Sequence, residues 1–206
     1  MKADDPSSRR ENAEILAAIQ ETLNGNSYAF RAVVEQYTPL LFSLSLRMLG
    51  GREDAEEAVQ EIFLKVFSSL RSFRLEQRFL PWIYTIALNH LRSAFKKKTR
   101  RRRVETVVPH DRLAARPGEG KPEEPERRLF LAQAEAAAGR ALLEIRHEYR
   151  AVFVLRALEG LSVAEIASIM GIPEGTVKTF FRRAKENLSK IIFRETRETP
   201  GPTGSI

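Results

Sequence analysis

Glu159-Gly160-Leu161-Ser162-Val163-Ala164-Glu165-Ile166-Ala167-Ser168-Ile169-Met170-Gly171-Ile172-Pro173-Glu174-Gly175-Thr176-Val177-Lys178 reads as two short helices joined by a tight turn. Ser162 is placed to accept from an amide three residues on and Glu165 to reach back, the reciprocal capping box that opens a helix. Val163, Ile166, Ala167 and Met170 fall on one face at helical spacing. Gly171 is the residue that tolerates left-handed backbone just past a helix end. Pro173, expected in the first turn of the next helix, brings a preset φ where no amide donor is needed. In that second helix Val177, Phe181, Ala184, Leu188 and Ile191 keep three- and four-residue steps and form a buried back. Thr176, Lys178, Thr179, Arg182, Arg183 and Lys185 are left pointing outward or to the flanks. Such a cationic second helix enters a major groove, where short polar and basic side chains reach base edges and phosphates. A surface helix of any bundle can carry similar charge. The ordered combination of cap, turn glycine, Pro-x-Gly-Thr-Val and basic continuation favours DNA.

Composition agrees. The chain has 206 residues and a formal charge of +7, which favours a polyanionic partner. It contains no cysteine, so disulfides, thiolate metal sites and cysteine nucleophiles are excluded. His90, His110 and His147 show no ligand spacing. Neither a metal, a cofactor nor a catalytic set is expected. No apolar run reaches the ~18 residues that span a bilayer, and the start Met1-Lys2-Ala3-Asp4-Asp5-Pro6 lacks a signal-peptide core. A soluble, intracellular protein is expected.

The chain divides in the middle. Prolines and glycines punctuate residues 109–126, and we place a flexible linker over 104–126. Upstream, Phe30, Val33, Val34, Tyr37, Leu41, Leu44 and Met48 predict one long helix ending near Gly50-Gly51. Ala55, Val59, Ile62, Val66 and Leu70 predict a second over about Arg52 to Leu70. A third runs from about Phe79 through Lys96-Lys97-Lys98-Thr99-Arg100-Arg101-Arg102-Arg103, burying Leu80, Ile83, Ala87, Leu91 and Ala94. No period-two alternation persists, so the fold class is all-α, two small helical domains joined by a linker. The expected boundaries are an N-terminal segment, partly disordered, over 1–25, a first domain over 26–103, a second over 127–194 and a disordered tail over 195–206.

Two features of the first domain suggest partners. Asp54, Glu56, Glu57 and Glu61 crowd the start of the second helix, where they suit the helix dipole, a docking stripe for a basic protein, or, least readily, a cation. The stretch Phe73-Arg74-Leu75-Glu76-Gln77-Arg78-Phe79-Leu80-Pro81-Trp82-Ile83-Tyr84, followed by Asn89, Arg92 and the basic run, suits a core boundary. It also suits single-stranded DNA, where rings stack on bases at roughly 1–3 kcal/mol each and cations track phosphates.

The whole pattern resembles a sigma factor of the extracytoplasmic-function group of the bacterial sigma-70 family, from about Gly25 to Phe193. Asn26-x-x-Ala29-Phe30 leading to Tyr37, with Asp54-Ala55-Glu56-Glu57-Ala58-Val59-Gln60-Glu61-Ile62-Phe63-Leu64-Lys65, resembles sigma regions 2.1 and 2.2. Phe79-x-Pro81-Trp82-Ile83-Tyr84-x-Ile86-Ala87-x-Asn89 resembles regions 2.3 and 2.4. Tyr149-Arg150-x-Val152-Phe153-x-Leu155-Arg156-x-Leu158-Glu159-Gly160-Leu161-Ser162 and the turn that follows resemble region 4.

The resemblance implies a core RNA polymerase partner, with Asp54, Glu57, Gln60 and Glu61 docking on its clamp helices and the second domain meeting its flap. It implies that Phe73, Arg74, Leu75, Glu76, Gln77 and Arg78 form the loop that captures a flipped minus-10 base. Trp82, Tyr84, Asn89, Arg92 and Lys96 would then line the opened strand. The minus-35 duplex would be read by Thr176, Lys178, Thr179, Phe180, Arg182 and Arg183. It further implies an anti-sigma partner, no membrane insertion, and a bacterial cytoplasmic location, on the nucleoid when in holoenzyme. Phe180 stands where relatives usually carry an arginine, and Thr85 and Leu88 where basic residues are frequent. The competing readings are a ligand-sensing DNA-binding regulator and a metal-dependent nuclease.

Overall fold

The computed structural model describes the backbone of residues 6–104 and 125–198 and the side chains of 12–100 and 134–194. Among the described residues there are helices and no strand. The expected linker lies almost entirely outside them, as does the tail from residue 199. The order is α1 (Pro6–Leu23), α2 (Phe30–Leu49), α3 (Arg52–Ser69), α4 (Phe79–Val104), α5 (Pro125–Glu144), α6 (His147–Phe153), α7 (Val163–Met170) and α8 (Glu174–Glu198).

The first unit is built by α1 to α4. Gly50 ends α2 in left-handed backbone at φ 79°, and α3 starts two residues later, so α2 and α3 pack as an antiparallel pair. Their facing residues Val33, Tyr37, Leu41, Leu44, Ala58, Ile62 and Val66 are buried, as the periodicity required. On α4 Ile83, Ala87 and Leu91 are buried as expected, whereas Leu80 and Ala94 are only partly so. Residues expected as an N-terminal segment supply α1, whose Ile15 and Ile19 enter the same core.

The second unit is α5 to α8. α6 widens into a π turn over Val154–Leu158, closed by the Glu159 amide donating to the Val154 carbonyl at 3.0 Å. The capping box of α7 is formed as read: the Ser162 hydroxyl accepts from the Glu165 amide at 3.2 Å, and the Glu165 carboxylate accepts from the Ser162 amide at 2.9 Å. Gly171 is left-handed at φ 64°. Helix α8 begins at Glu174, so Pro173 sits just before the first turn rather than in it.

One apolar core runs from α1–α4 into α6 and α7, taking in Ala151, Val152, Leu155, Leu161, Ile166 and Ile169. A smaller cluster of Ala141, Leu142, Ile145, Tyr149, Ala184 and Leu188 ties α5 and α8 to α6. The two units are thus packed on each other, with α7 lying against α4 and α5 against α2.

Arg150 marks the seam. Its side chain is buried and donates to the carbonyls of Leu142 (2.7 Å), Leu143 (2.6 Å) and Ile145 (3.1 Å) at the end of α5, and to that of Met48 (2.5 Å) at the end of α2. Four donors of one planar guanidinium therefore meet the electronegative ends of two helices. Burial lowers its pKa to about 10, which leaves it charged at neutral pH.

Candidate nucleic-acid interface

On α8, Val177, Ala184 and Leu188 are buried, so the opposite face is fixed outward by the helix period. Lys178, Arg182 and Arg183 are exposed, and Thr176 and Thr179 are half-buried. Arg182 pairs with Glu186 at 2.6 Å, and Thr179 donates back to the Gly175 carbonyl at 2.9 Å. Arg183 donates to the Tyr149 hydroxyl at 3.0 Å, which lowers the phenol pKa. Phe180 turns the other way. It is half-buried with its ring 5.1 Å from that of Tyr149, so it packs on α6 instead of standing out with the cations.

The loop before α4 has an anchored and a free part. Phe73 is buried edge-on to Phe79 at 5.3 Å and against Trp82 at 5.1 Å, and Leu75 is half-buried. Arg74, Glu76, Gln77 and Arg78 are exposed. Trp82 is half-buried between the Phe73 and Phe79 rings. Tyr84 is 1% exposed, and its hydroxyl donates to Glu159 at 3.1 Å; burial first, and then that carboxylate, push its pKa up. Asn89, Arg92 and Lys96 are exposed further along α4.

On α3, Glu57, Gln60 and Glu61 are exposed along one stripe, while half-buried Asp54 is turned aside to Lys98, which also donates to the Leu49 carbonyl at 3.0 Å. The stripe continues into Leu64 and Phe67, 65% and 46% exposed. Neither was singled out from the sequence, although Leu64 lies off the buried seam at the spacing of Glu57 and Gln60. Among the described residues no group of acidic or histidine side chains gathers into a metal cage, and no helix is long and apolar enough to cross a membrane.

Two units in this order, each with a basic helix, have counterparts in known proteins. Sigma-70 region 2 matches residues 33–101 and sigma-70 region 4 matches residues 136–188. The ECF RNA polymerase sigma factor SigW of Bacillus subtilis is 30% identical over 179 residues, covering 84% of this chain and 93% of that one. The chain is an extracytoplasmic-function sigma factor. The RNA polymerase sigma-H factor of Pseudomonas aeruginosa is 29% identical over 185 residues, covering 87% and 94% of the two chains. The sigma factor RpoE of Bartonella quintana, solved with the anti-sigma factor NepR, shares the fold at TM-score 0.63 and 21% identity, over 79% of this chain and 96% of that one. CnrH, solved with the cytosolic domain of CnrY, gives 0.61 at 21% identity over 88% and 98%.

In this sigma factor α2–α4 make up region 2 and α6–α8 lie in region 4. Arg78, in the loop before α4, and Tyr84, Asn89 and Arg92 on α4 all lie next to region 4. Arg78 pairs with Glu165 at 2.7 Å. Leu88, Asn89 and Arg92 face His147, Ala151, Ile169 and Met170 across a cleft of about 10 Å³, room for about one water.

Proposed function

We propose that this sigma factor directs core RNA polymerase to promoters by reading two elements with its two units, and that catalysis belongs to the polymerase alone. Duplex minus-35 DNA is read by α8 through Lys178, Thr179, Arg182 and Arg183, with Thr176 at the helix start. The opened minus-10 strand is taken by the loop Arg74–Arg78 and by Asn89, Arg92 and Lys96 of α4. The observation that carries this reading is the pair of basic helices α4 and α8 on separate units, each with its apolar back buried. Phe180 acts as packing for α6, so the minus-35 preference rests on its polar neighbours. Phe73 and Trp82 hold the loop in shape, and Tyr84 meets DNA only after Glu159 has left it.

The stripe of Glu57, Gln60 and Glu61, lengthened by Leu64 and Phe67, docks on the polymerase clamp helices. The open groove of about 510 Å³ lined by Phe153, Lys185, Leu188, Ser189, Ile192 and Phe193 suits the polymerase flap. The sites of action are the bacterial cytoplasm and nucleoid. An anti-sigma partner is supported by the complexes in which the two similar folds were solved.

Purified chain added to core polymerase is expected to give promoter-dependent transcripts from a library of cognate genomic fragments. Binding to duplex DNA without co-purification with core polymerase would instead favour a free-standing regulator.

A further inference from the structure

We propose that the duplex-reading face of α8 extends onto the start of α6, where Tyr149 positions the Arg183 guanidinium and Arg146 adds a contact to a DNA backbone phosphate. This rests on the assignment of α8 as the reader of duplex DNA.

Arg146, Tyr149 and Arg183 meet at one place. The Arg183 Nη1 donates to the Tyr149 hydroxyl at 3.0 Å, and the Arg146 guanidinium carbon lies over the same ring, 5.2 Å from its centroid. The ring itself is fixed: Tyr149 is 5% exposed, and Phe180 packs tilted against it at 5.1 Å. A buried phenol thus touches two exposed cations and limits where both can point.

The charge of each partner separates Arg183 from its neighbour. Arg182 is held by Glu186 at 2.6 Å, a carboxylate that competes with phosphate for the same donors. Arg183 is held by a neutral oxygen, which uses a single donor of the guanidinium fork and does not neutralise its charge. Arginine carries much rotamer freedom, so fixing it before DNA arrives removes part of the ordering cost of binding.

Arg146 comes from the residue just before α6, beside α8 rather than on it. A cation flanking a helix seated in the groove meets the phosphates along the groove edge, which position the protein without reading sequence. Glu148 stands 3.8 Å from Arg146, too far for a hydrogen bond, and both side chains are open to solvent. Such a pair is weak and screened by salt, so it leaves the guanidinium to a phosphate.

The test uses holoenzyme reconstituted with the full chain. Its probes are a fluorescein-labelled duplex carrying the minus-35 element of a promoter that it transcribes, and the same duplex with that element scrambled. Arg146→Ala is expected to weaken both duplexes alike, about threefold at physiological salt, and to make the slope of log affinity against log salt shallower by about 1, as one lost phosphate contact requires. Arg146→Lys should keep the slope, and Arg31→Ala, which removes a cation from α2, should leave it unchanged. Tyr149→Phe keeps the ring and its packing, as unfolding curves will verify. It is expected to weaken the cognate duplex about threefold, and to have no further effect in a chain that already carries Arg183→Ala. A tyrosine with a merely structural role would add its loss in either background. The proposal is overturned if Arg146→Ala leaves the slope unchanged, if Arg31→Ala lowers it as much, if Tyr149→Phe is without effect, or if its loss adds to that of Arg183→Ala. Failure of the underlying assignment looks different: Lys178→Ala with Arg183→Ala would then leave cognate duplex binding intact, whatever the α6 variants do.

Discussion

Helices α4 and α8 are both long, both basic and both backed by a buried apolar seam, yet their outward faces have opposite fates. The face of α8 carrying Lys178, Arg182 and Arg183 stays open to solvent, with Arg182 on Glu186 and Arg183 on Tyr149, both within region 4. The face of α4 is covered over its first half by α6 and α7, which put a carboxylate on Tyr84, another on Arg78, and Ile169 and Met170 opposite Leu88. The difference is made by sequence at two points. Leu88 gives α4 an apolar patch beyond its core seam, and the π turn after α6 presents Glu159 to it. On the proposed reading, the face for duplex DNA is ready in the free chain, and the face for opened DNA is exposed only when region 4 departs.

The largest expected effect breaks the seam itself. Arg150→Met removes one cation that serves four carbonyls, leaving each without its partner, and should cost about 3 kcal/mol or more in urea unfolding. Three of those carbonyls belong to the end of α5 and its exit, so region 4 should loosen internally as well as detach. A loss below ~1 kcal/mol would mean that water replaces the guanidinium and that the seam is superficial.

Next in size is the open face. Lys178→Ala with Arg183→Ala should weaken minus-35 duplex binding roughly 10- to 100-fold, since each good base contact contributes about 1–3 kcal/mol. Affinity for core polymerase should be unchanged in a pull-down titration. If core binding falls instead, α8 belongs to the docking surface and the contrast with α4 is lost.

The covered face should also respond to pH where the open one does not. His147 is 8% exposed, its ring lies 5.0 Å from that of Phe95 on α4, and its Nε2 has no hydrogen-bond partner among the described residues. Burial first, and then the Arg150 charge, lower its pKa from 6.5 to about 4. The sign follows: between those values the unfolded chain binds a proton that the folded chain refuses, so stability falls as pH drops from 6.5 toward 4. At pH 5 the loss relative to pH 7 should be about 2 kcal/mol, and His147→Leu should flatten that slope. An unchanged slope in the variant would place the titrating group elsewhere.

Much of this was legible in the residues. Ser162, Glu165 and Gly171 are local devices whose partners lie within a few positions, so the turn before α8 could be read directly. The end of α2 and the start of α3 were similarly announced by Gly50-Gly51. Helix α1 was harder, because Ile15 and Ile19 provide a narrow apolar face among charged and polar neighbours. The closed face was out of reach: Tyr84 meets Glu159 and Arg78 meets Glu165 across separations that no periodicity records. That Phe180 packs on Tyr149 was out of reach for the same reason, since the contact joins α8 to α6. Leu64 and Phe67 were overlooked because attention to charge favours Glu57 and Glu61 over the apolar residues that extend them.

Region 4 rests on the face of α4 that we propose takes the opened strand, and polymerase is expected to draw it away. The chain has no cysteine, so Ser93→Cys on α4 and Ser168→Cys on α7, both at exposed positions, give two unique spin-label sites. Double electron–electron resonance on the free chain should give one short, narrow distance, replaced by a longer one when core polymerase is added. A broad, long distribution in the free chain, or a short distance that persists in holoenzyme, would contradict the account.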